Sequence, residues 1–347
     1  MGAREIINER STKTASILAD FQHAVTAELG PDLERVIDGH TTVYVTGSGG
    51  RGEMSDASDL DLFLVRVIGK TSLIDGALLQ SAIVRATRRC NIEEPSADGV
   101  FLDMHSAEEF DELFGTPEDD ARNTFTPRML LLLESRAVLG ASVYETLVEK
   151  MLDRYWQNAD KHVTGYLPYV FVNDVVHWWR VVLLNHEWKL KEKQKELKRQ
   201  LEGEALDQQL SAERYYRSYK LRFARCLTCF ASLAYLLAHT RPRHGATLHV
   251  SREDMKKMVR MTPFQRLEAI DRMEPPDIVT EALARMRDLY AEFLEHGARP
   301  KKELVESFKA PAFAKARSSS GREFADQMFL LVSELGRGNS LYRYMVV

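Results

Sequence analysis

The sequence predicts an α+β fold, with a small mixed-sheet domain over residues 1–140 followed by an all-α helical domain over residues 141–347. Three observations predict it. Two short β-branched and aromatic runs, 42–46 and 59–67, flank a glycine-rich turn, and a third such run lies at 100–104. From Tyr144 onward almost every segment has a helical pattern, with no convincing strand before the tail. That change of character near residue 140 sets the domain boundary.

Taken in order, Ile6, Ile7, Ile17, Leu18, Phe21, Val25 and Leu29 recur near a 3.6-residue period, so the chain opens in a helix that Gly30-Pro31 stops. Residues 72–89 are helical in pattern, and an acidic helix begins near Ser106 after the third strand. Residues 115–123 carry Gly, Thr, Pro and several acids and read as an exposed loop. Thr126-Pro127 supplies a capping residue and then a proline at the first helical position. Residues 189–199 are a charge run whose opposite charges stand three apart (Glu192 with Lys195, Glu196 with Arg199), which more often marks a solvated helix face than a binding stripe. Residues 318–321 read as a hinge before the last helix, and Trp156, Trp178, Trp179 and Trp188 as packing residues.

Composition narrows the function classes. With 44% apolar and 28% charged residues the chain is an ordinary globular one, and 47 Lys+Arg against 51 Asp+Glu give a formal charge of −4. No general basic field is available for coating nucleic acid, so any polyanion must be handled locally. Three cysteines are too few for a disulfide framework, and the first residues lack a signal peptide's apolar core, which points to the cytoplasm. The apolar run 230–238 is far short of the roughly 20 residues that span a bilayer, so no membrane is expected. Cys226-x-x-Cys229 has half the spacing of a zinc site, but no second ligand pair is near, and core cysteines are the better reading. The basic stretch Arg241-Pro242-Arg243-His244 is either a nucleic-acid contact or, better, a solvated turn.

The chemistry is concentrated in Gly47-Ser48, followed by ten residues (49–58) and then Asp59-Leu60-Asp61-Leu62. On a strand, Asp59 and Asp61 share one face while Leu60, Leu62 and Leu64 share the other. Paired carboxylates on one face call for a compensating charge, and a hard divalent cation such as Mg²⁺ is the simplest. The Gly-Ser turn has little side-chain bulk, which lets backbone N–H groups approach phosphate oxygens. A third carboxylate, Asp103, lies on the next strand and shares its face with Phe101 and His105; its other reading is a cap for the helix that follows.

This string resembles the nucleotidyltransferase superfamily typified by DNA polymerase β, whose signature is a hydrophobic residue, Gly-Ser, a spacer and Asp-x-Asp on a strand. The longer match, Gly47-Ser48-x-x-Arg51-Gly52-Glu53-x-Ser55-x-x-Ser58-Asp59-x-Asp61, is similar to the bacterial branch that includes the amino-terminal domain of the nitrogen-signalling uridylyltransferases. Residues 126–136 resemble the helix that closes the catalytic domain in that branch. The resemblance implies that Gly47 and Ser48 bind the triphosphate of an NTP or dNTP, and that Asp59 and Asp61 bind metal. Asp103 is then the third ligand and the base. The metal implied is Mg²⁺, as a pair of ions roughly 3.5–4 Å apart, with Mn²⁺ as the substitute. Arg51 and Ser58 match the motif as nucleotide-binding residues, though Glu53 offers Arg51 a structural partner instead.

In the helical half, Asn173, His177 and Arg180 fall on one side of a helix, and Lys220, Arg222 and Arg225 set cations among apolar residues. Asn173, Arg180, Lys220 and Arg225 are candidates for a lid over the nucleotide; interhelical hydrogen bonding is an equal reading. After the flexible-looking 336–340, an extended tail would carry Tyr342 and Tyr344 on one side and reach roughly 26 Å, enough to present a tyrosine hydroxyl as acceptor; a docked terminal strand is the plainer reading. Domain order and this tail resemble the nucleotidyltransferase of Hailong-type antiphage defence operons. That likeness implies DNA oligomer synthesis primed on Tyr344 or Tyr342, with an effector protein encoded nearby. The alternatives are AMP or UMP transfer to a partner protein, as in signalling or toxin–antitoxin modules, transfer to a small-molecule antibiotic, and a degenerate nucleotide-binding regulatory module.

Overall fold

The computed structural model describes residues 2–93, 102–162, 166–241 and 249–346. The chain divides into two compact units. One comprises Ile7–Tyr166 and Ser251–Thr262, and the other Met1–Ile6, Leu167–Val250 and Pro263–Val347. The first carries a four-stranded mixed sheet and the second, among its described residues, only helices. The split differs from a cut at residue 140 for a packing reason. Helix Ala141–Trp156 buries Val143, Tyr144, Leu147, Val148 and Met151, and Tyr144 meets the strand residue Tyr44 at 6.2 Å between ring centroids. Helix Arg252–Arg260 joins the same unit through Arg252 to Glu149 and Asp153, and through Arg260 to Glu145 at 2.6 Å. Long-range ion pairs of that kind leave no periodic trace in the chain.

The sheet has the order β3-β2-β1-β4, with β1 Thr41–Thr46, β2 Asp61–Arg66, β3 Met104–Ser106 and β4 Arg136–Leu139. β1 runs antiparallel to both β2 and β4, while β2 and β3 are parallel. One face holds Val43, Val45, Leu62 and Leu64, which join Phe21 and Val25 of helix Ala3–Leu29 and Leu79, Ile83 and Ala86 of helix Leu73–Arg89 in a single core. On the other face Tyr44 stacks on Phe63 at 5.4 Å, and its hydroxyl donates to the Pro127 carbonyl. Helices thus cover both sides of the sheet, and the ends of β1 and β2 are left to build a site.

Several expected elements are placed differently. β4 has no counterpart in the sequence reading, because four residues after a long apolar helix show no alternation of their own. The third strand begins at Met104; Val100 and Phe101 lie outside the described residues, as do Pro242, Arg243 and His244 of the basic stretch. The closing helix starts at Phe125, so Pro127 is its third residue, still in the first turn, rather than its first. Residues 115–123 are not simply a loop: they include helix Pro117–Ala121, whose buried Asp119 pairs with Arg128 at 2.8 Å. Arg128 is 1% exposed beneath Phe114, and a guanidinium that deep needs a counter-ion.

In the helical unit, Gly203–Thr240 runs continuously, with a π-helical turn at Leu221–Arg225. By length and composition this helix could cross a membrane, but 78% of its apolar window is buried within the protein, as suits a core helix. Around its wide turn Phe223 packs on Phe293 at 4.8 Å and on Phe324 at 4.7 Å. Cys226 and Cys229 are buried free thiols, and burial pushes the Cys226 thiol up to about 12. Residues 318–321 form no hinge but lie inside the helix Pro311–Gly336. A Cβ at Gly321 would stand 3.3 Å from Arg222 Cδ, so the small residues there serve close helix packing. Trp178 is buried and Trp179 meets Phe230 edge-on, yet Trp188 is 59% exposed and is not a packing residue. In the charge run Glu192 pairs with Lys195, but Glu196 pairs with Lys193 and not with Arg199.

Candidate active site

The site is built where β1 hands over to β2. The last antiparallel pair is Thr46 with Asp61, so the chain leaves the sheet opposite the residue at which it returns. Gly47 then takes φ +62°, and a Cβ on it would overlap the Asp61 carboxylate and come 3.3 Å from its Cγ. Only glycine satisfies both the left-handed backbone and that approach. Residues Gly47–Arg51 form a single helical turn, in which a Cβ on Gly50 would overlap the Glu134 carbonyl oxygen. Gly47 and Gly50 are thus demanded by steric contact with Asp61 and with the chain just before β4.

Arg51 is 7% exposed and locked in place: its Nε donates to Glu53 at 2.8 Å and its Nη1 to Glu134 at 2.7 Å. Glu134 also accepts the Gly47 N–H at 3.2 Å. This geometry suits Arg51 as a brace for the turn and not as a phosphate contact. The sequence reading missed Glu134 as a site residue. A signal was available, since a lone carboxylate at the end of an apolar helix must find a partner once buried. The rest of the connection is held from below, where the Met54 N–H donates to Thr14 at 2.9 Å and Lys13 pairs with Asp56. Ser58 Oγ accepts the Ser55 N–H at 3.0 Å, which fixes the turn ahead of Asp59.

Asp59 and Asp61 are half-buried, and Leu60 and Leu62 between and beyond them belong to the core, so the alternation expected of a strand is present. Asp59 itself precedes β2 and makes an isolated parallel bridge with Glu93, a carboxylate no strand pattern had picked out. Asp103 is exposed at the entry to β3. It does not cap the next helix, since Ser106 does so by accepting the Glu108 N–H. With Leu64 paired to Met104, Asp103 is level with Phe63, two residues along the sheet from Asp61. Next to it His105 lies 5.7 Å from the Phe63 ring; burial pushes its imidazole down, while Asp103 and Glu109 pull it up.

Among the described residues no three His, Cys, Asp or Glu side chains converge tightly enough to form a ready metal cage. Asp59 and Asp61 are half-buried carboxylates two residues apart, Asp61 lies against the Gly47 turn, and two such carboxylates can serve as donors without a cage. Mg²⁺ takes such a set together with substrate phosphates and retained waters, so these residues fit a metal that shares its shell with a nucleotide.

Comparison with known protein families and with curated proteins finds no match.

The remaining predicted residues belong to the helical unit. Asn173 and Arg180 are exposed on one face of helix Tyr169–Leu197. Lys220 is exposed with its ammonium 5.7 Å from the Tyr216 ring, and Arg225 is half-buried at the end of the wide turn. Arg222 donates to the Ser318 carbonyl at 3.3 Å, which is the interhelical role given as the equal reading of this group. The tail corrects an expectation: Ser340–Val346 is a helix, not an extended strand. Buried Asn339 anchors it by donating to the Leu237 carbonyl and accepting the Leu341 N–H at 2.9 Å. Tyr342 packs on Gly336, whereas Tyr344 is 43% exposed with its ring 5.5 Å from Tyr169. Two residues apart on a helix, the tyrosines diverge, and at 1.5 Å per residue the long reach of an extended tail is lost.

Proposed function

We propose that this chain is a metal-dependent nucleotidyltransferase that transfers an NMP or dNMP from a nucleoside triphosphate to a hydroxyl and releases pyrophosphate. The observation that carries the reading is the pairing of Thr46 with Asp61, which seats a carboxylate directly on the glycine of a Gly-Ser turn. Such a junction supports the reading, because a turn of small residues open to phosphate would then adjoin a carboxylate able to take a metal. Likeness of the string 47–61 to the polymerase-β-like superfamily supports the same chemistry.

Asp59 and Asp61 would hold Mg²⁺, which when bound screens the triphosphate and the developing charge on the leaving pyrophosphate. Ser48 orients the phosphates from the turn. The acceptor oxygen attacks the α-phosphorus, the bond to the bridging oxygen breaks, and Asp103 takes the acceptor's proton. Glu134 and Arg51 keep the turn in shape without touching substrate. The favoured product is an oligonucleotide, made in the cytoplasm as part of an antiphage defence; Tyr344, the more exposed of the two tail tyrosines, is the candidate primer.

The test is an intact-mass spectrum after incubation with each NTP and dNTP plus Mg²⁺, alongside pyrophosphate release. A ladder of nucleotide increments on the protein, lost in Tyr344→Phe, is expected for self-priming; an increment only on an added protein reassigns the acceptor. Asp59→Asn combined with Asp61→Asn should lower turnover at least about 10²–10³-fold, the scale of losing transition-state electrostatics, with an unchanged melting temperature. Undiminished turnover in that double variant would refute the metal assignment.

A further inference from the structure

The 29-residue helix Tyr169–Leu197 projects a second feature that the transfer chemistry does not use. Arg180, Leu184, Trp188, Lys191, Lys195 and the C-cap Lys198 follow the spacing of one helical face, and all six are exposed. Leu184 is 71% and Trp188 59% exposed. Lys195 is paired with Glu192, but Arg180, Lys191 and Lys198 have no ion pair among the described residues. Glu187 is the acid on that face. Toward its start the same face holds Tyr169, with the exposed Tyr344 ring beside it. From Tyr169 to Lys198 the face is about 44 Å long at 1.5 Å per residue.

We infer that this face is a docking track for single-stranded nucleic acid. Three cations without an ion pair among the described residues stand in line along this face, with a large indole left in water between Arg180 and Lys191. A buried apolar partner would be poorly served by a row of cations, and a duplex offers no unstacked base to an indole. A single strand has both requirements, a phosphate at each step for the cations and a base face for Trp188. The inference does not rest on the nucleotidyltransferase reading, because docking needs no metal, no triphosphate and no acceptor. If both hold, the track would retain a growing strand.

The experiment uses the full chain without NTP or metal. Fluorescence anisotropy is followed on labelled 20-nucleotide single strands of DNA and of RNA, on a DNA duplex of equal length, and across a series of NaCl concentrations. Binding of a single strand is expected, with quenching of tryptophan emission. Trp188→Ala should weaken it about tenfold, in line with the loss of one stacked base, and Trp188→Phe should restore most of that. Lys191→Glu with Lys198→Glu should reduce the slope of log K against log salt by about one to two, because roughly 0.7 of a counterion is released per contact on a single strand. All three positions are exposed, so an unchanged melting temperature is the folding control. Affinity for single strands that is absent at low salt, or the same within twofold in both variants, overturns the inference. Equal duplex binding through the same residues overturns it, as does selective binding to phosphatidylserine vesicles.

Discussion

Residues 47–61 and the outer face of the Tyr169–Leu197 helix hold their polar groups in opposite ways. In the turn, Arg51 is held by two glutamates, Gly47 is required by Asp61 and Gly50 by the Glu134 backbone. On the helix face, Arg180, Lys191, Lys198 and the indole are set by helical spacing, and among the described residues only Lys195 of its cations has an ion pair. A position with many internal neighbours can direct a carboxylate to within a fraction of an ångström, which reaction chemistry requires. A position with few internal neighbours leaves side chains free to follow a ligand of variable shape. Rigidity and availability are thus divided between the two units.

The sharpest way to break this contrast is Glu134→Ala. It removes one of the two glutamates that hold Arg51 and the acceptor of the Gly47 N–H, so a loss of about 3–5 kcal/mol in urea unfolding is expected, as for a buried charge robbed of a partner. A loss below 1 kcal/mol would show that the turn is not held from the Glu134 side. Asn339→Ala comes next. It removes bonds to Leu237 and to the Leu341 N–H, and about 1–3 kcal/mol of local stability should vanish as faster amide exchange across 340–346. Gly47→Ala should cost about 1–2 kcal/mol for a side chain in left-handed backbone, with a larger fall in activity than in stability because Asp61 must move aside. Smallest is Gly321→Ala: the gain of about 1 kcal/mol from helix propensity works against a 3.3 Å contact with the movable Arg222 Cδ, and the melting temperature should shift little.

What could be read from the chain follows the same division. The strand–turn–strand was legible because β-branched runs, glycines and alternating Leu and Asp are local signals, and Leu60, Leu62 and Leu64 did enter the core. β4 was not, since Arg136–Leu139 gains its identity from pairing with β1 and carries no period of its own. Glu134 escaped for a related reason: its partners are 83 and 87 residues away. The tail was misread because tyrosines at alternate positions suit a strand as well as a helix, and it is Asn339, reaching back about a hundred residues to Leu237, that settles the choice. Trp188 was misjudged because composition favours buried tryptophan on average, while exposure depends on where neighbouring helices stop.

The wide turn at Leu221–Arg225 divides a helix whose halves lead different lives: Gly203–Lys220 buries only four of its residues, whereas Cys226–Thr240 is buried almost all round. One surplus residue in such a turn acts as a phase shifter. Because each α-helical residue advances the chain by about 100°, a deletion at Ala224 that restores regular winding would rotate the whole apolar half against its neighbours while leaving the composition of both halves nearly untouched. Tolerance of length change should therefore be lowest in the middle of the longest helix and not at its ends.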